Sequence, residues 1–550
     1  MTAHTIRPLP DIAADLGLLP DELLMFGRDK GKLAPSTRAG RRRPGESRLI
    51  LVSAITPTPA GEGKTTTTIG LGDALRRRGH SVSVALREPS LGPCFGSKGG
   101  GTGGGKAQLH PAIDINLHFN GDFHAVTAAH NLLAAVIDNH IHRGNTLGID
   151  PRRVSWRRVL DINDRALRNV TTGLGGPDDG VPREAGFDIT AASEVMAMLC
   201  LAESEADLRH RIDRTLIGFT GDDHPVTAGQ LGVTGAMLAL LRDAMWVNLV
   251  QTHEGTPAFV HGGPFANIAH GCNSVLATRT AMALTDWVVT EAGFGFDLGA
   301  EKFFDIKCVS AGLDVAAVVL VATVRALKMH GGAKLTDLDK PDVGAVRRGL
   351  GNLDKHVENI RAFGIHPIIA MNRFGSDTDD ELALVEAHAA RLEVPVARCE
   401  HFARGGPGAD ALAAQLEVHA ATPHGTPFKP LYDWGEAVPD KICRVAQTMY
   451  GARDVLYSRE ARQDLKLIER HGFAGLPICI AKTPNSLSDD PKRRGKPRDF
   501  EVTVRRLHVA SGAGFIVVIT GDIVRMPGLP AVPRAEGIDL VDGEITGLVF

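Results

Sequence analysis

Residues 48–65 read R-L-I-L-V-S-A-I-T-P-T-P-A-G-E-G-K-T. The first seven form a short apolar run bounded by turn residues, which is typical of a buried parallel strand. The last three match the end of the phosphate-binding pattern G-x-x-x-x-G-K-[ST], but Thr58 stands where the first glycine belongs. A helical pattern follows over residues 65–78. A strand, a loop with G-K-T and a helix in this order predict a nucleotide site.

A phosphate cradle requires small residues, so that backbone N–H groups point at the anion, and a helix N-terminus behind them. The predicted nucleotide-binding residues are Thr58, Pro59, Ala60, Gly61, Glu62, Gly63, Lys64, Thr65 and Thr66. The Lys64 ammonium is expected to reach the β- and γ-phosphates, and the Thr65 hydroxyl to bind Mg²⁺. A plain β–α turn is the alternative. Pro57 and Pro59 flank Thr58 and predict a stiff, extended arm before the cradle.

The composition excludes several functional classes. A chain of 550 residues is too long for one core and predicts two to four domains. The 61 basic and 64 acidic residues nearly balance, which argues against a nucleic-acid partner. The seven cysteines include no C-x-x-C pair and predict free thiols in a reducing compartment. The N-terminus shows no signal peptide, and the longest apolar run, residues 315–324, is too short to cross a membrane. We therefore expect a cytoplasmic protein without a membrane partner.

Strand and helix patterns alternate along most of the chain. Further apolar runs predict strands at 81–86, 247–251, 287–290, 316–322, 367–371, 396–398, 500–509 and 515–519. Helical patterns cover 12–33 and 265–284. This alternation predicts an α/β fold, a doubly wound and mostly parallel sheet of the P-loop NTPase kind. The predicted domains are a nucleotide-binding core in two parts (1–150 and 241–422), a small α+β insertion (151–240) and a separate C-terminal α+β domain (423–550).

The stretch L-R-E-P-S-L-G-P (86–93) begins where the predicted strand 81–86 ends. In an open α/β sheet this edge faces the ligand crevice, so Arg87 is expected near the phosphates. Its guanidinium can hold two oxygens of a carboxylate or an acyl phosphate, and a structural salt bridge is the alternative. The glycine-rich run 99–105 predicts a mobile lid or a place where a ligand touches the backbone.

Three loops that follow predicted strands each present an aromatic side chain, namely Phe294, Phe374 and Phe402. Each alone is compatible with ordinary packing, but together they predict a slot for two ring systems, such as adenine and a pterin. His118, His124 and His130 are spaced by six residues, which is no known metal pattern. We interpret these histidines as structural or hydrogen-bonding residues and predict no zinc site.

Ten segments, in the same order along nearly the whole chain, resemble the formate–tetrahydrofolate ligase (10-formyltetrahydrofolate synthetase) family. They are T-P-T-P-A-G-E-G-K-T-T-T (56–67), L-R-E-P-S-L-G-P (86–93), D-I-N-L-H-F (114–119), A-A-H-N-L-L-A-A (128–135), H-G-G-P-F-A-N-I-A-H-G (261–271), E-A-G-F-G (291–295), D-L-G-A-E-K-F (297–303), S-L-S-D-D-P (486–491), G-A-G-F-I-V (512–517) and M-P-G-L-P (526–530). The resemblance implies that ATP, formate and tetrahydrofolate give 10-formyltetrahydrofolate, ADP and phosphate. It also implies a homotetramer and activation by a monovalent cation.

The resemblance also implies roles for single residues. Lys64 would hold the transferred phosphoryl group, Thr65 would lie by the Mg²⁺ of MgATP, and Arg87 would hold formate and then formyl phosphate. The three phenylalanines named above would form walls for the pterin and the nucleotide, with Glu88 as a polar contact nearby. Departures from the family pattern stand at Phe26, Lys106, Ile113, Phe296, Gly375 and Phe402. Phe296 is expected to add bulk beside the folate slot.

Two other functions are weighed against the ligase. A P-loop ATPase of the partition or metallochaperone kind usually carries a second lysine early in the loop, and Thr58-Pro59 offers none. A binding or regulatory protein that has lost turnover is the other alternative, and the departures near the folate slot leave it open. The presence of Lys64, Thr65 and Arg87 favours the enzyme.

Overall fold

The computed structural model describes residues 6–38, 41, 46–97, 100–421 and 428–548. Elements before residue 150 are α1 (Leu9–Asp15), β1 (Leu23–Met25), β2 (Gly31–Leu33), β3 (Arg48–Ala54), α2 (Lys64–Arg77), β4 (Val82–Leu86), α3 (Leu91–Phe95), β5 (Gly103–Gly104), β6 (Ala107–His110), α4 (Ala112–Asn116) and α5 (Asp122–His142). The next are β7 (Arg158–Leu160), β8 (Val170–Thr172), β9 (Arg183–Ala185), β10 (Phe187–Ile189), α6 (Glu194–Leu201), α7 (Glu205–Asp213), β11 (Leu216–Phe219), β12 (Pro225–Thr227) and α8 (Thr234–Leu241).

The chain then continues through the second part of the sheet and into the C-terminal region. The elements are β13 (Val247–Thr252), β14 (Pro257–Val260), α9 (Val275–Leu284), β15 (Trp287–Glu291), α10 (Val309–Ala311), β16 (Ala317–Ala322), α11 (Val324–His330), α12 (Val343–Ala362), β17 (Pro367–Asn372), α13 (Asp379–Arg391), β18 (Val396–Cys399), α14 (His401–Arg404) and α15 (Asp410–Ala421). The last are α16 (Val438–Val445), β19 (Asp454–Tyr457), α17 (Arg459–Arg470), β20 (Ile478–Ala481), β21 (Glu501–Ala510), β22 (Phe515–Thr520), β23 (Asp539–Val541) and β24 (Glu544–Thr546).

A twelve-stranded sheet forms the centre of the fold, with the main order β1-β2-β13-β14-β4-β15-β3-β16-β17-β18. From β14 to β18 every pair of neighbours runs parallel. Side chains of β3 enter two different cores, because Leu49 and Leu51 lie in one and Ile50 and Val52 in the other. Burial on both faces explains the uninterrupted apolar run of this strand. The predicted α/β fold with a large, mostly parallel sheet is confirmed.

The prediction of a helix over residues 12–33 is wrong after residue 15. Helix α1 ends at Asp15, after which Gly17 adopts φ +68°. The chain then forms the antiparallel pair β1–β2, and β2 pairs with β13 at the edge of the sheet. This segment forms strands because it pairs with β13, more than 200 residues away in sequence. The spacing of apolar residues within the segment does not reveal such a distant partner.

The helix predicted over residues 265–284 covers only the second half of that range. Helix α9 begins at Val275, where the hydroxyl oxygen of Ser274 accepts a hydrogen bond from the Ala277 N–H. The preceding residues form an irregular loop in which Gly262 and Gly271 have positive φ. Strand β14, which pairs with β4 just before this loop, was not predicted.

The regions outside the sheet carry strands of their own. The region predicted as an insertion contains the pairs β7–β10, β8–β9 and β11–β12. The C-terminal region contains a four-stranded sheet in the order β19-β21-β22-β20, which shares no described strand with the central sheet. The domain limits at residues 150 and 240 stay predictions, and the limit at 422–423 lies outside the described residues.

The longest apolar run forms strand β16, which is buried over its whole length, as predicted. None of the helices in the described ranges is both long enough and apolar enough to span a membrane. The seven cysteines are all free thiols.

Candidate active site

Three neighbouring strands deliver the predicted catalytic residues to one edge of the sheet. Strand β15 lies between β3 and β4, and all three run parallel. The loop after β3 leads to Thr65, β4 is followed by Arg87, and β15 ends with Glu291 between them. The buried Glu291 carboxylate accepts a hydrogen bond of 2.9 Å from the Thr65 hydroxyl. Its other oxygen lies 3.9 Å from Nη2 of Arg87. The strand order thus brings the two predicted halves of the site together at Glu291.

Lys64 is the first residue of α2 and is half-buried. Burial lowers the pKa of Lys64, the carboxylates of Glu291 and Glu62 oppose this shift, and the charge of Arg87 adds to it. Among the described residues, the ammonium group has no hydrogen-bond or ion-pair partner. A partly buried cation without a partner is costly, so an anionic ligand at this position is stabilised.

Free backbone N–H groups surround the start of this helix. The N–H groups without an acceptor among the described residues are those of Glu62, Gly63, Lys64, Thr65 and Thr66. The first four N–H groups of a helix have no intrahelical partner, and the helix dipole adds positive potential there. Gly63 adopts φ +76°, and a Cβ at this position would lie 2.5 Å from Nδ2 of Asn372. Only glycine fits there, and the row of N–H groups suits a bound phosphate chain.

The unusual N-terminal arm of the loop is held by Glu62. One oxygen of this buried carboxylate accepts a 2.6 Å hydrogen bond from the Thr58 N–H, and the other accepts from the Thr323 hydroxyl. Asn372 donates to the Glu62 carbonyl at 3.1 Å. The N–H of Thr58, which stands at the first glycine position of the usual pattern, is therefore bonded within the loop. Through this bond the Glu62 carboxylate fixes the N-terminal arm.

The Arg87 guanidinium retains donors for a ligand. Nη1 donates to the Pro264 carbonyl at 3.3 Å, whereas Nε is buried and has no partner among the described residues. The contact with Glu291 is too long for a hydrogen bond, so it does not consume the remaining N–H groups. A Cβ on Gly293 would lie 3.1 Å from Nη1, so the glycine leaves room beside the guanidinium. This environment favours a ligand clamp over a purely structural salt bridge.

Glu88, which was predicted as a polar contact, is a buried residue that follows Arg87. Its N–H donates to the Gly262 carbonyl at 2.9 Å, and its side chain is buried. Burial raises the pKa of Glu88 well above its usual range, and the charge of Asp122 raises it further, while Lys32 acts in the opposite direction. Asp122 and Lys32 form a buried ion pair at 2.6 Å. Glu88 thus belongs to a buried charge cluster next to Arg87.

The three predicted aromatic walls lie at increasing distance from β3 in the strand order. Phe294 follows β15, the direct neighbour of β3, and is half-buried with φ +57°. Phe374 follows β17, and the Arg325 guanidinium lies 5.0 Å from its ring centroid. Phe402 follows the edge strand β18 and is 56% exposed, while its carbonyl accepts from the Lys106 N–H at 2.9 Å. In the strand order, Phe294 thus follows a strand next to β3, and Phe402 follows the strand at the edge of the sheet.

Two expectations from the sequence are corrected here. Phe296 is fully buried and packs on Phe304 and Phe363, with ring centroids 6.0 and 5.9 Å away, so its bulk fills the core and not a folate slot. The described part of the glycine run forms the hairpin β5–β6 and not a free lid. Its glycines allow close approach of protein backbone, because a Cβ on Gly103 or Gly105 would overlap a neighbouring carbonyl oxygen. Gly99 lies outside the described residues.

The histidines make hydrogen bonds, as predicted. Nδ1 of His118 lies 2.8 Å from Nε2 of His124. His130 stacks on Trp156 and hydrogen-bonds the Arg157 carbonyl at 2.9 Å, and burial lowers the pKa of His130 to about 3. Within the described ranges, no three His, Cys, Asp or Glu side chains are grouped closely enough to hold a metal ion.

Glu291 was not predicted as a site residue, although the sequence carries one signal for it. A carboxylate is the last residue of an otherwise apolar strand, W-V-V-T-E, directly before a glycine-rich loop. The missing information was the strand order, which places this residue between the phosphate loop and Arg87.

A family profile described as formate–tetrahydrofolate ligase matches residues 1–549. The chain belongs to this family. It is 55% identical over 543 residues to the formate–tetrahydrofolate ligase of Paracoccus denitrificans, covering 98% of this chain and 97% of the relative. The formate–tetrahydrofolate ligase of Hyphomonas neptunium is 54% identical over 547 residues, and the alignment covers 98% of both chains. That of Symbiobacterium thermophilum is 54% identical over 545 residues, covering 99% of this chain and 98% of the relative.

Membership of the formate–tetrahydrofolate ligase family confirms the resemblance drawn from the ten sequence segments. Two of the departures from the family pattern lie at the surface of the site region. Lys106 is exposed on the β5–β6 hairpin, and Gly375 is exposed with no atom within 4 Å of its Cβ position. In this member of the ligase family, both positions therefore lie at the surface and outside the phosphate loop.

Proposed function

We propose that this chain ligates formate to N10 of tetrahydrofolate at the expense of ATP, with formyl phosphate as the intermediate. Family membership supports the overall reaction. The observation that supports the intermediate is the meeting of Thr65 and Arg87 at the Glu291 carboxylate. A phosphate cradle and a carboxylate clamp at one place suit the transfer of a phosphoryl group to formate.

The phosphate loop is proposed to act as a P-loop despite the missing first glycine. Strand β3, the left-handed Gly63, the free N–H groups and helix α2 supply the parts that a phosphate chain requires. The Thr65 hydroxyl and the Glu291 carboxylate are hard oxygen donors 2.9 Å apart, which suits the Mg²⁺ that accompanies ATP as substrate. We assign Lys64 to the charge that develops on the transferred phosphoryl group.

The proposed chemistry solves a leaving-group problem. Formate is a poor acyl donor, because direct attack on it would have to expel an oxide-like group. One formate oxygen instead forms a bond to the γ-phosphorus, the bond to the ADP oxygen breaks, and Arg87 holds the resulting formyl phosphate. N10 of the folate then attacks the formyl carbon, phosphate leaves with the bond electrons, and the N10 proton passes to solvent. The protein contributes position and charge stabilisation to both steps.

The aromatic loops are proposed to bind the ring systems of the substrates, with Phe294 innermost. The family resemblance further supports a homotetramer, activation by a monovalent cation and a cytoplasmic enzyme as parts of the same proposal. A partition-type ATPase and a binding protein without turnover are disfavoured, because the similarity covers 98% of the chain and the catalytic set is retained.

One assay tests the proposed function. The protein is incubated with MgATP, formate and tetrahydrofolate, the mixture is acidified, and methenyl-tetrahydrofolate is measured by its absorbance. We expect the signal to require all three substrates. ATP hydrolysis that proceeds without formate and folate, and without this product, would contradict the ligase.

Removal of the aromatic rings at the rim should weaken folate binding selectively. Phe374→Ala and Phe402→Ala are each expected to raise KM for tetrahydrofolate about 5- to 10-fold, since a ring stack is worth about 1 kcal/mol beyond its buried area. KM for ATP, measured in the same assay, is the internal control. An unchanged KM for tetrahydrofolate in both variants would contradict the proposed walls.

Removal of the negative charge at Glu291 should weaken MgATP binding. Glu291→Gln keeps an acceptor for the Thr65 hydroxyl but loses the charge, so KM for MgATP should rise about tenfold, as expected for a lost charge-assisted contact. Raising free Mg²⁺ should restore part of the loss. The control is Glu417→Gln, which removes one negative charge from the surface pair with Arg78. Equal effects of the two variants would contradict a local role for Glu291.

A further inference from the structure

The first polar residue after β3, Thr56, is fully buried and has every polar group bonded. Its N–H donates to Oδ1 of Asn352 at 3.2 Å, and its hydroxyl lies 3.0 Å from both Nδ2 of Asn352 and Nε2 of His356. Its carbonyl accepts from Nε2 of His330 at 2.9 Å. His330 ends α11, and the other two side chains lie on α12. The start of the phosphate loop is therefore held by two neighbouring helices.

Two of these side chains also hold a residue of the C-terminal region. Nδ2 of Asn352 donates to the Gly495 carbonyl at 2.9 Å, and the Gly495 N–H donates to Nδ1 of His330 at 3.1 Å. Gly495 lies between β20 and β21, the two C-terminal strands that precede and follow its loop. Asn352 thus joins the N–H and the hydroxyl of Thr56 to the Gly495 carbonyl, and His330 joins the Thr56 carbonyl to the Gly495 N–H.

The pattern of bonds assigns the histidine tautomer. Because Nδ1 of His330 accepts from the Gly495 N–H, the proton lies on Nε2, which donates to the Thr56 carbonyl. Burial lowers the pKa of His330 to about 4, so the ring is neutral at physiological pH and both bonds persist together. A neutral ring with one donor and one acceptor connects the two loops in a single orientation.

A second contact joins the same C-terminal loop to the site. Nζ of Lys482 lies 2.8 Å from Oδ2 of Asp297, and both side chains are buried. Lys482 directly follows β20, and Asp297 lies three residues after Phe294. The loop between β20 and β21 therefore reaches the phosphate loop through Asn352 and His330, and it contacts the segment after Phe294 directly through Lys482.

We propose that Asn352 and His330 are positioning residues through which the C-terminal loop at Gly495 sets the geometry of the phosphate loop. The inference rests on the proposed function, since it assigns this loop to ATP. Thr56 stands directly before the Pro57-Thr58-Pro59 arm, so a shift of its backbone is carried along a stiff segment to the N–H groups that face the phosphates. Small displacements of such groups weaken ligand binding strongly.

The test compares two asparagines of α12. Asn359 is fully buried like Asn352, and its Nδ2 donates to the Met449 carbonyl at 2.8 Å, but it has no bond to the phosphate loop. Asn352→Ala and Asn359→Ala should both lower Tm, and Asn352→Ala by more, because it loses three buried hydrogen bonds and Asn359→Ala loses one. ATP affinity, measured by calorimetry without formate or folate, should fall about tenfold in Asn352→Ala only, the scale expected when the two buried hydrogen bonds to Thr56 are lost. Equal ATP affinity of the two variants would overturn the proposal.

Two substitutions at His330 test its hydrogen bond to Thr56 and its hydrogen bond from Gly495 separately. They also keep the proposal testable if Asn352→Ala does not fold. His330→Asn retains an acceptor near the position of Nδ1 but loses the donor to Thr56. His330→Gln retains a donor near Nε2 but loses the acceptor for Gly495. The proposal predicts weaker ATP binding in both, and parent-like affinity in His330→Gln would overturn the role of the C-terminal loop. These tests measure ATP affinity only. The ligation assay on the unmodified chain is a separate experiment, and its failure would contradict the proposed function and not this inference.

Discussion

Arg87→Ala is expected to lower the turnover of ligation by about 10³-fold, the scale on which an arginine stabilises a phosphoryl-transfer transition state. The affinity for ATP should stay within about twofold of the parent, since the free N–H groups of the phosphate loop do not depend on Arg87. Among the described residues, the guanidinium has a buried Nε without a partner and one backbone acceptor, so donors remain available to a reacting group. The loss should therefore appear in kcat and in KM for formate.

The measurement is a full kinetic analysis beside calorimetric titration with ATP. Arg87→Lys is the matched variant, because it keeps the positive charge but cannot hold two oxygens in a fork. It should recover only a small part of the lost turnover. Equal losses of turnover and of ATP affinity in Arg87→Ala would mean that Arg87 is a nucleotide ligand or a structural residue.

Lys64→Ala should be equally severe but should affect both quantities. The ammonium has no partner among the described residues, and the charges of Glu62 and Glu291 favour its protonated form. We expect turnover to fall about 10³-fold, as for other charge-stabilising groups in phosphoryl transfer, and ATP affinity to fall at least about tenfold. The two variants together separate the phosphate half of the site from the formate half.

The pH dependence of the parent provides a check on Lys64. Burial lowers the pKa of this lysine, so its charge is present at lower pH and is lost on the alkaline side earlier than for an exposed lysine. Activity should therefore fall on the alkaline limb, and Lys64→Arg should remove that limb in whatever activity it retains. An alkaline limb that is the same in both proteins would assign it to another group.

Local sequence patterns predicted the strands and helices whose formation depends on neighbouring residues. The apolar run of β3, the helix after the loop and the strand before Arg87 were predicted within one or two residues, since burial on both faces leaves a continuous apolar run. The hairpin β1–β2 was missed because its partner β13 is remote in sequence. Phe296 was misplaced because its position was drawn from the family resemblance alone, whereas its ring packs on Phe304 and Phe363.

The site shows the same division. Lys64, Thr65 and Arg87 were predicted from the motif and from their positions after strands, which reflect local chemistry, and their roles stay predictions. Glu291 could not be found in this way, because its role depends on the order of three strands in the sheet. The function of Glu62 was also hidden, since the pattern shows only a residue between two glycines and not the carboxylate that accepts the Thr58 N–H.

The fate of the formate oxygens tests the central claim most directly. Ligation is run with formate labelled with ¹⁸O in both oxygens, and the phosphate produced is analysed by mass spectrometry. If formyl phosphate forms, one labelled oxygen becomes the bridge to phosphorus and leaves with phosphate when N10 attacks, so each phosphate carries one ¹⁸O. Unlabelled phosphate, with ligation proceeding normally, would contradict the account.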